Sequence, residues 1–536
     1  MRNLCFVSLA LLLVACGGAN DQQGVPVGGG GLTIIHVNDT YRVGDVEDGK
    51  KGGFGRVATI VRELQREGRD VRVTHGGDFL FPSLESQLWN GEQMVEALNF
   101  LDDLAPLYLV PGNHEFDARV PDHLANAVAG SRFDWLADNY RLQTGRSDVD
   151  DALHRGFMLD HGGRKIGIVG LMMHAEDGGN VRDYLQVDRD YVGIAKRAIE
   201  SFEQAGADLV FAITHLRMSN DRQVAELRAA HPAFMFMVGG HEHEPQYSEL
   251  RDDSAAIMKG ASNARAIWRI DVDFDESGEP SVAAKILPMD EAIVPDPAYV
   301  ELQSKWRERL DAIYPFLSAR VGEAAFPLDA RETVIRNQET SWANFIVDQM
   351  RGAFGRELAD LAFINTGTLR IDDFIQDDIL FEDIGRTFGF SSNLRYLQLT
   401  GAEFKAVMEA GYRGSGNSHG YFPAVSGFRV CVDYRRPDYD RIVSLQIPAD
   451  DGWAEIDADE LYDVVVPDYL YRGGDGYRIP QDRPVSKRGS ELKYLVLDAI
   501  LRAQAEGHAI GEPVDTGNPR YVQVGPSREE CWTQTN

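Results

Sequence analysis

Basic residues are in short supply in this sequence of 536 residues. Lysine and arginine total 54 against 84 aspartates and glutamates, which gives a formal net charge of -30. Such a balance argues against a partner held by a broad basic surface, above all a nucleic acid. A small anionic ligand is compatible with it only where metal ions or a few placed arginines reverse the field locally.

Long apolar runs are absent except at the N-terminus, which reads MRNLCFVSLALLLVAC. This run is too short to span a bilayer, and it predicts a signal peptide over residues 1–16. Leu13-Val14-Ala15-Cys16 resembles the lipobox of bacterial lipoproteins, and residues 17–31 are a polar, glycine-rich tether. We therefore expect a membrane anchor through lipidated Cys16, although a plain signal peptide with an incidental cysteine is the alternative. Gly17 is not the aspartate of an inner-membrane signal, so the expected location is the cell envelope, on the outer membrane.

Cysteine is also scarce, with 4 in the whole chain. Cys431 and Cys531 are the two that lie beyond the predicted signal peptide. A secreted chain meets an oxidising compartment, where they could pair. The sequence leaves open whether they do.

Short apolar runs alternate with amphipathic helical patterns through the first half of the chain. With 43% hydrophobic residues, a chain of this length can build two sizeable domains. The alternation predicts an α/β fold with helices packed over a sheet. Several of the runs end in polar residues that can bind metal, namely Asp39, Asp78, Asn113, His114, Asp117, His215, His241 and His243.

Each of these residues has an ordinary explanation when taken singly, such as a turn former, a helix cap or a surface histidine. The set points elsewhere, because ligands of α/β domains gather at the carboxyl ends of the strands. Oxygen and imidazole ligands together suit Mn, Fe, Co or Zn in a two-metal site. The sequence therefore predicts two divalent metal ions as cofactors, of unknown identity.

The motifs resemble those of the calcineurin-like metallophosphoesterases. They are Asp39-Thr40-Tyr41, Gly77-Asp78, Gly112-Asn113-His114-Glu115, Thr214-His215 and Gly240-His241-Glu242-His243. The segments IIHVND, GGFGRVATIV and VPGNHEFD and the long C-terminal half are similar to the bacterial UDP-sugar hydrolase/5'-nucleotidase family. The resemblance implies a metallophosphoesterase β-sandwich flanked by helices over 32–290, a linker helix over 291–320, a smaller mixed α/β nucleotide-binding domain over 321–525, and a tail over 526–536.

The resemblance also implies a role for each residue of the motifs. One metal would take Asp39, Asp78 and His243, and the other would take Asp78, Asn113, His215 and His241. His114 would face the transferring phosphoryl group and would be oriented by Asp117. A histidinium there stabilises developing charge or protonates the leaving oxygen.

Tyr41 departs from the family pattern, which places a histidine ligand of the first metal at this position. The tyrosine can coordinate as a phenolate, leave the position to water, or only pack beside the site. A free phenol loses its proton near pH 10, so neutral coordination is poor. We therefore favour the second interpretation, with a first metal that is bound more weakly or more selectively.

The C-terminal half carries segments that resemble the family's substrate-binding motifs. By this likeness Arg331, Arg336 and Arg370 would hold phosphate, with Asn365 beside them. Phe390 and Tyr477 would sandwich the base. Arginine suits phosphate because it binds bidentately, and aromatic faces suit a base. For Tyr477 the alternative is an ordinary core aromatic, but its glycine-flanked loop GGDGY favours exposure.

The sequence thus predicts a metallophosphoesterase that hydrolyses nucleoside 5'-phosphates outside the cytoplasm. Hydrolysis of a UDP-sugar or a 2',3'-cyclic nucleotide is an alternative, since the metals contact only the phosphoryl group. A weakly catalytic nucleotide-binding lipoprotein is another, although the His114 and Asp117 pair has no use in a pure binder. The oligomeric state is left undetermined.

Overall fold

The computed structural model describes residues 31–118, 120–174, 181–355, 358–414, 419–482, 487–525 and 531–532. The predicted signal peptide, the predicted lipidation site Cys16 and nearly all of the tether lie outside these residues, as does most of the predicted tail. Within the described part of the chain, no helix combines the length and the apolar character needed to cross a membrane.

The N-terminal half alternates strands and helices, as its sequence pattern predicts. Its strands are β1 Leu32–Val37, β2 Asp70–His75, β3 Leu107–Leu109, β4 Asp134–Trp135, β5 Tyr140–Leu142, β6 Phe157–His161, β7 Arg164–Met172, β8 Leu185–Val187, β9 Leu209–His215, β10 Phe234–Gly239, β11 Gln246–Ser248, β12 Ala256–Lys259, β13 Ala266–Phe274 and β14 Pro280–Pro288. Its helices are α1 Phe54–Arg66, α2 Leu84–Trp89, α3 Glu92–Leu104, α4 Asp122–Gly130, α5 Ser147–Asp150, α6 Tyr191–Gln204 and α7 Met218–Ala225.

Twelve of these strands form two six-stranded sheets that pack face to face, and β5 and β8 pair separately. The first has the order β14-β13-β1-β2-β3-β4 and the second the order β11-β12-β10-β9-β7-β6. Strands β1 to β4 run parallel, as do β7, β9, β10 and β12. One buried cluster joins Val73 of the first sheet to Phe211 and Phe236 of the second. Strands covered on both faces read as continuous apolar runs, and all six residues of β1 are buried.

A helix of 17 residues, α8 Pro297–Ile313, lies within the segment predicted as the linker. Asp296 caps it by accepting hydrogen bonds from the backbone N–H groups of Ala298 and Tyr299, at 3.0 and 3.2 Å. Pro297 occupies the first turn, where its missing N–H is not needed. The helix packs on α1 and α3 of the N-terminal domain.

The C-terminal half forms a separate mixed domain. Its strands are β15 Arg320–Glu323, β16 Leu328–Asp329, β17 Leu361–Asn365, β18 Phe374–Ile375, β19 Asp378–Leu380, β20 Asn393–Thr400, β21 Pro423–Ser426, β22 Arg429–Asp433, β23 Ile442–Ala449, β24 Gly452–Glu455, β25 Leu461–Pro467, β26 Lys487–Glu491 and β27 Tyr521–Val524. Its helices are α9 Glu332–Ile335, α10 Ser341–Arg351, α11 Phe381–Thr387, α12 Gly401–Met408, α13 Asp468–Tyr471 and α14 Leu492–Ala505. A five-stranded sheet, β21-β17-β25-β20-β26, has buried clusters on both faces. The predicted two-domain α/β fold is confirmed.

Cys431 and Cys531, whose pairing the sequence left open, form a disulfide with Cα atoms 5.5 Å apart. The bond closes a loop across 100 residues of sequence. It fixes the end of the chain against β22, where Cys431 is fully buried.

Candidate metal centre

The predicted metal-binding residues lie at the carboxyl ends of parallel strands of both sheets. Asp39 follows β1 and Asp78 follows β2, while Asn113 comes after β3. From the second sheet, His215 is the last residue of β9, and His241 and His243 follow β10. The sandwich therefore brings together side chains that are distant in sequence, such as Asp39 and His241, which are 202 residues apart.

The side chains lie close enough together to bind the same metal ions. Ligand atoms of Asp39, Asp78 and His243 all lie within 4.8 Å of one another, and all three residues are buried. His215 Nε2 lies 3.2 Å from an oxygen of Asp78 and 3.2 Å from Asn113 Oδ1. His241 completes the second group, with its ring centroid 5.4 Å from that of His215. Two buried carboxylates facing imidazole nitrogens and an amide oxygen are a donor set that fits divalent cations.

The backbone is strained where it carries these residues. Asp39, Asp78, His241 and His243 all have positive φ angles, of 51°, 61°, 87° and 62°. Such conformations cost on the order of 1–3 kcal/mol each for residues with a Cβ, and they cluster at functional sites. The site is also crowded at Gly112, where a Cβ atom would lie 2.1 Å from an oxygen of Asp78.

Burial and neighbouring charges shift the pKa values of Asp78 and Tyr41 in opposite directions. Burial alone would raise the pKa of Asp78, but the neighbouring His215 and His114 outweigh it and lower this pKa well below its usual range. Burial raises the pKa of the Tyr41 phenol well above its ordinary value, and the Asp78 and Asp39 carboxylates add to that shift. Tyr41 is therefore a neutral hydrogen-bond donor at neutral pH.

Tyr41 places its hydroxyl inside the ligand cluster. The hydroxyl oxygen lies 3.0 Å from His243 Nε2, 3.4 Å from Asp78 and 3.5 Å from Asp39. The choice among a phenolate ligand, a position left to water and a side chain that only packs beside the site stays a prediction, in which we favour the second.

His114 and Asp117 form the predicted pair beside the cluster. His114 Nδ1 lies 2.8 Å from an Asp117 oxygen, and its backbone N–H donates to Asp78 at 2.7 Å. Burial would lower the pKa of His114, but the Asp117 and Asp78 charges outweigh it and raise this pKa above the ordinary histidine value. The other ring nitrogen, Nε2, lies 3.2 Å from the Arg370 guanidinium of the C-terminal domain.

Three of the predicted substrate-binding residues lie where the two domains meet beside His114 and His243, a region that we call the cleft. Arg370 Cζ lies 5.3 Å above the ring of Phe390, whose centroid is 5.9 Å from that of His114. Arg336 is buried and paired with Glu332, whose carboxylate reaches His243. Arg336 and Arg370 thus place two positive charges beside Glu332 and the acidic residues of the cluster.

The other predicted substrate-binding residues are engaged away from the cluster. Arg331 forms a two-pronged ion pair with Asp329. Asn365 donates to Asp475 at 2.8 Å.

The structure corrects the stacking role predicted for Tyr477. This ring is fully buried in the C-terminal core, 5.4 Å from Phe363 between centroids, and its hydroxyl donates to the Tyr421 carbonyl at 2.7 Å. It therefore presents no open face to a base. The sequence interpretation failed because flanking glycines indicate a loop but not whether the next side chain turns inward.

Glu115 is a structural residue of the site that sequence reasoning passed over, although it stands inside the GNHE motif. Its buried carboxylate accepts four backbone hydrogen bonds, from Gly112, Asp78, Phe79 and Leu80, at 2.5 to 3.0 Å. It thereby ties the loop after β2 to the loop after β3. The sequence does contain a signal for this role. A glutamate that stands among glycines beside a metal-binding loop has many backbone N–H groups nearby that need an acceptor.

We expect Glu115→Gln to lower the free energy of unfolding by about 2 to 3 kcal/mol, because the amide replaces a charged acceptor and turns an N–H group toward buried donors. Urea unfolding of the metal-free protein measures this change. Glu63→Gln, on the exposed side of α1, is the matched control and should unfold as the unaltered protein does. Equal stability of the two variants would contradict the role given to Glu115.

Comparison with known proteins agrees with this geometry. Residues 32–245 match the family model of the calcineurin-like phosphoesterases, and residues 320–482 match that of the 5'-nucleotidase C-terminal domain. The chain is thus a hydrolase of phosphoester bonds of the metallophosphoesterase class, which implies divalent metal cofactors and a nucleotide as small-molecule substrate. Within that class, it belongs to the two-domain 5'-nucleotidase family.

Individual relatives are distant but extend over most of the chain. It is 24% identical over 500 residues to the human 5'-nucleotidase, covering 84% of each protein. It is 24% identical over 506 residues to the trifunctional nucleotide phosphoesterase protein YfkN of Bacillus subtilis, covering 87% of this chain but 33% of that protein. The chain therefore spans about a third of the length of the latter. The crystal structure of a 5'-nucleotidase precursor from Thermus thermophilus shares the fold, with a TM-score of 0.77, 21% identity, and coverage of 92% of this chain and 99% of that one.

Proposed function

We propose that this protein hydrolyses nucleoside 5'-phosphates to nucleoside and phosphate, with two divalent metal ions, outside the cytoplasm. The observation that carries the proposal is the position of His114. Its backbone N–H donates to Asp78, and its ring meets Arg370 of the C-terminal domain. A phosphate between the two domains would meet a proton donor, a guanidinium and the metal-binding cluster together.

The residues present fit two metal ions with one shared ligand. Asp39, Asp78 and His243 would hold the first, and Asp78, Asn113, His215 and His241 would hold the second. When bound, such a pair of metals stabilises charge on phosphoryl oxygens and makes water a stronger nucleophile near neutral pH.

The chain's own groups handle the proton and the charge of the leaving group. Asp117 accepts a hydrogen bond from His114 Nδ1, which leaves Nε2 as the atom that holds and releases a proton at the cleft. The raised pKa of His114, which the Asp117 and Asp78 charges cause against the effect of burial, favours the protonated ring that can act as a general acid. Arg370 orients the phosphate and stabilises its developing charge.

The nucleoside would occupy the C-terminal side of the cleft. Phe390 supplies a ring beside Arg370, and base stacking on such a ring contributes roughly 1–3 kcal/mol in nucleic-acid sites. Arg336, Arg413 and Tyr421 also line a pocket of about 20 Å³ in this domain, which has room for little more than a water molecule.

The exchange Tyr41→His tests how the first metal is held. The imidazole would add a ligand where the neutral phenol now stands, so we expect the dissociation constant of one metal to fall by at least about tenfold. Competition with a fluorescent chelator measures this constant. Tyr41→Phe, which removes the hydroxyl without adding a ligand, should show no such gain. A gain in Tyr41→Phe equal to that in Tyr41→His would show that the hydroxyl merely obstructs the site.

The envelope location and the lipid anchor belong to the same proposal. They are supported by the signal-like residues 1–16, with Cys16 at the cleavage position. The Cys431–Cys531 disulfide gives further support, because disulfides persist in oxidising compartments such as the periplasm. Metabolic labelling with a tagged fatty acid, compared between the unaltered protein and Cys16→Ser, tests the anchor. Equal labelling of the two would contradict it.

The substrate class is tested by comparing kcat/KM for AMP, UDP-glucose, a 2',3'-cyclic nucleotide and p-nitrophenyl phosphate in the metal-loaded protein. The proposal predicts the highest value for AMP. A higher value for UDP-glucose or the cyclic nucleotide would favour those alternatives. Equal values for AMP and p-nitrophenyl phosphate would contradict a nucleoside-binding role of the C-terminal domain, and nucleotide binding without turnover would favour a binding protein.

A further inference from the structure

One carboxylate of the C-terminal domain reaches into the metal cluster of the N-terminal domain. Glu332 Oε2 lies 2.6 Å from His243 Nδ1 and 3.4 Å from the Ser262 hydroxyl. Glu332 and His243 are 2% and 5% exposed, so the contact is shielded from water. The contact joins the first turn of α9 to the loop after β10.

The arginines of the cleft hold this carboxylate in place. Arg336 donates to its other oxygen, Oε1, and Arg370 Nη1 lies 3.8 Å from that oxygen. One carboxylate oxygen of Glu332 therefore interacts with the two arginines, and the other interacts with His243. Glu332 cannot leave His243 without also disturbing the two cations that face the substrate cleft.

The two ring nitrogens of His243 face different partners. Nδ1 faces the Glu332 carboxylate, which can accept its proton. The Tyr41 hydroxyl lies 3.0 Å from Nε2. Nε2 is also the atom that faces Asp39, at 3.4 Å. A carboxylate behind a histidine fixes the ring and strengthens the opposite nitrogen as a metal ligand.

A second connection crosses the same interface. Asp372 accepts from the Glu332 backbone N–H at 3.0 Å and from the Asn263 side chain at 3.1 Å. Asn263 in turn accepts from the Tyr41 backbone N–H at 3.1 Å. The loops of the C-terminal domain thus hold both His243 and Tyr41, the two residues on the side of the first metal.

Of the two histidines assigned to the second metal, His215 has a different kind of partner. Its Nδ1 lies 2.6 Å from the Gly76 carbonyl, within the N-terminal domain. His215 is therefore oriented by the domain that contains it, and His243 by the domain across the cleft.

We propose that Glu332 is a positioning residue that makes the affinity of the first metal depend on apposition of the two domains. The inference rests on the metal-dependent function proposed above and deepens it. Retention of the first metal would be tightest when the C-terminal domain, with Arg336 and Arg370, lies against the cluster. Separation of the domains would loosen the first metal and leave the second in place.

Metal affinity measured without nucleotide tests this role. The stripped full-length protein and Glu332→Gln are titrated with Mn²⁺ against a chelator. The amide keeps the size of the side chain but is a weaker acceptor, and we expect one of the two dissociation constants to rise about 10- to 100-fold while the other is unchanged. Co²⁺ absorption spectra should change in the variant, because the ligand field of one site changes.

Two further variants separate positioning from folding. Asp329→Asn alters a carboxylate three residues earlier that pairs with Arg331, and it should keep both affinities. Glu332→Asp retains the charge and should recover part of the loss. Unchanged affinities and spectra in a folded Glu332→Gln would overturn the proposal, and so would an equal loss at both sites. The readout needs no turnover, so a protein that binds two metals as predicted but hydrolyses no nucleotide would contradict the proposed function and leave this inference standing.

Discussion

Replacement of His114 by alanine should lower kcat for AMP by about 10²- to 10⁴-fold, the range typical of a lost general acid. The reason lies in the position of the ring, which Asp117 holds at 2.8 Å through Nδ1 so that Nε2 faces Arg370. KM should change much less, because in the proposed function Arg336, Arg370 and the metals would still bind the phosphate. Steady-state phosphate release in the metal-loaded protein measures both parameters.

Two further variants test this prediction more closely. Asp117→Asn keeps the histidine but loses the charge that raises its pKa, so its kcat should fall less than that of His114→Ala. His508→Ala, at a histidine whose side chain is 72% exposed, should behave as the unaltered protein does. An unchanged kcat in His114→Ala would exclude this residue from proton transfer at the leaving group.

Asp78→Asn should have the largest effect of any single change. Asp78 is the ligand that both proposed metals share, and its oxygens lie among His215, Tyr41 and the His114 backbone. An amide offers one oxygen and no charge, so the pair of metals should not form. Since bound metals contribute several kcal/mol to such reactions, we expect kcat/KM to fall by at least about a thousandfold.

Metal content per chain, determined by mass spectrometry after dialysis, accompanies the kinetics. The unaltered protein should retain two equivalents and Asp78→Asn one or fewer. The matched control Asp103→Asn lies on the exposed end of α3, where the side chain is 62% exposed, and it should retain both. Two tightly held metals in Asp78→Asn would contradict a shared ligand at this position.

The N-terminal half of the site could be predicted because its geometry follows from a rule of topology. Parallel strands end at one edge of a sheet, so Asp39 and Asp78 meet at the edge of the first sheet, and His215 lies at the corresponding edge of the second. Each ligand also stands at a strand end marked by glycine or by a break in the apolar run. These local signals survive in the sequence without knowledge of the packing.

The C-terminal half resisted prediction because its roles depend on packing between distant elements. Tyr477 follows a loop of glycines, yet its ring turns inward against Phe363. Arg331 stands beside Glu332 in the sequence, yet Arg331 pairs with Asp329 while Glu332 crosses to His243. The apolar periodicity of one segment does not indicate which of two neighbouring residues will face another domain.

The most direct test of the two-metal nucleotidase is phosphate release from AMP by protein lacking residues 1–16, stripped of metal and titrated with Mn²⁺. The account predicts no release before metal is added and a rate that becomes maximal only after two equivalents per chain. Release that persists in the stripped protein, or no release at any Mn²⁺, Zn²⁺, Co²⁺ or Fe²⁺ concentration, would contradict it.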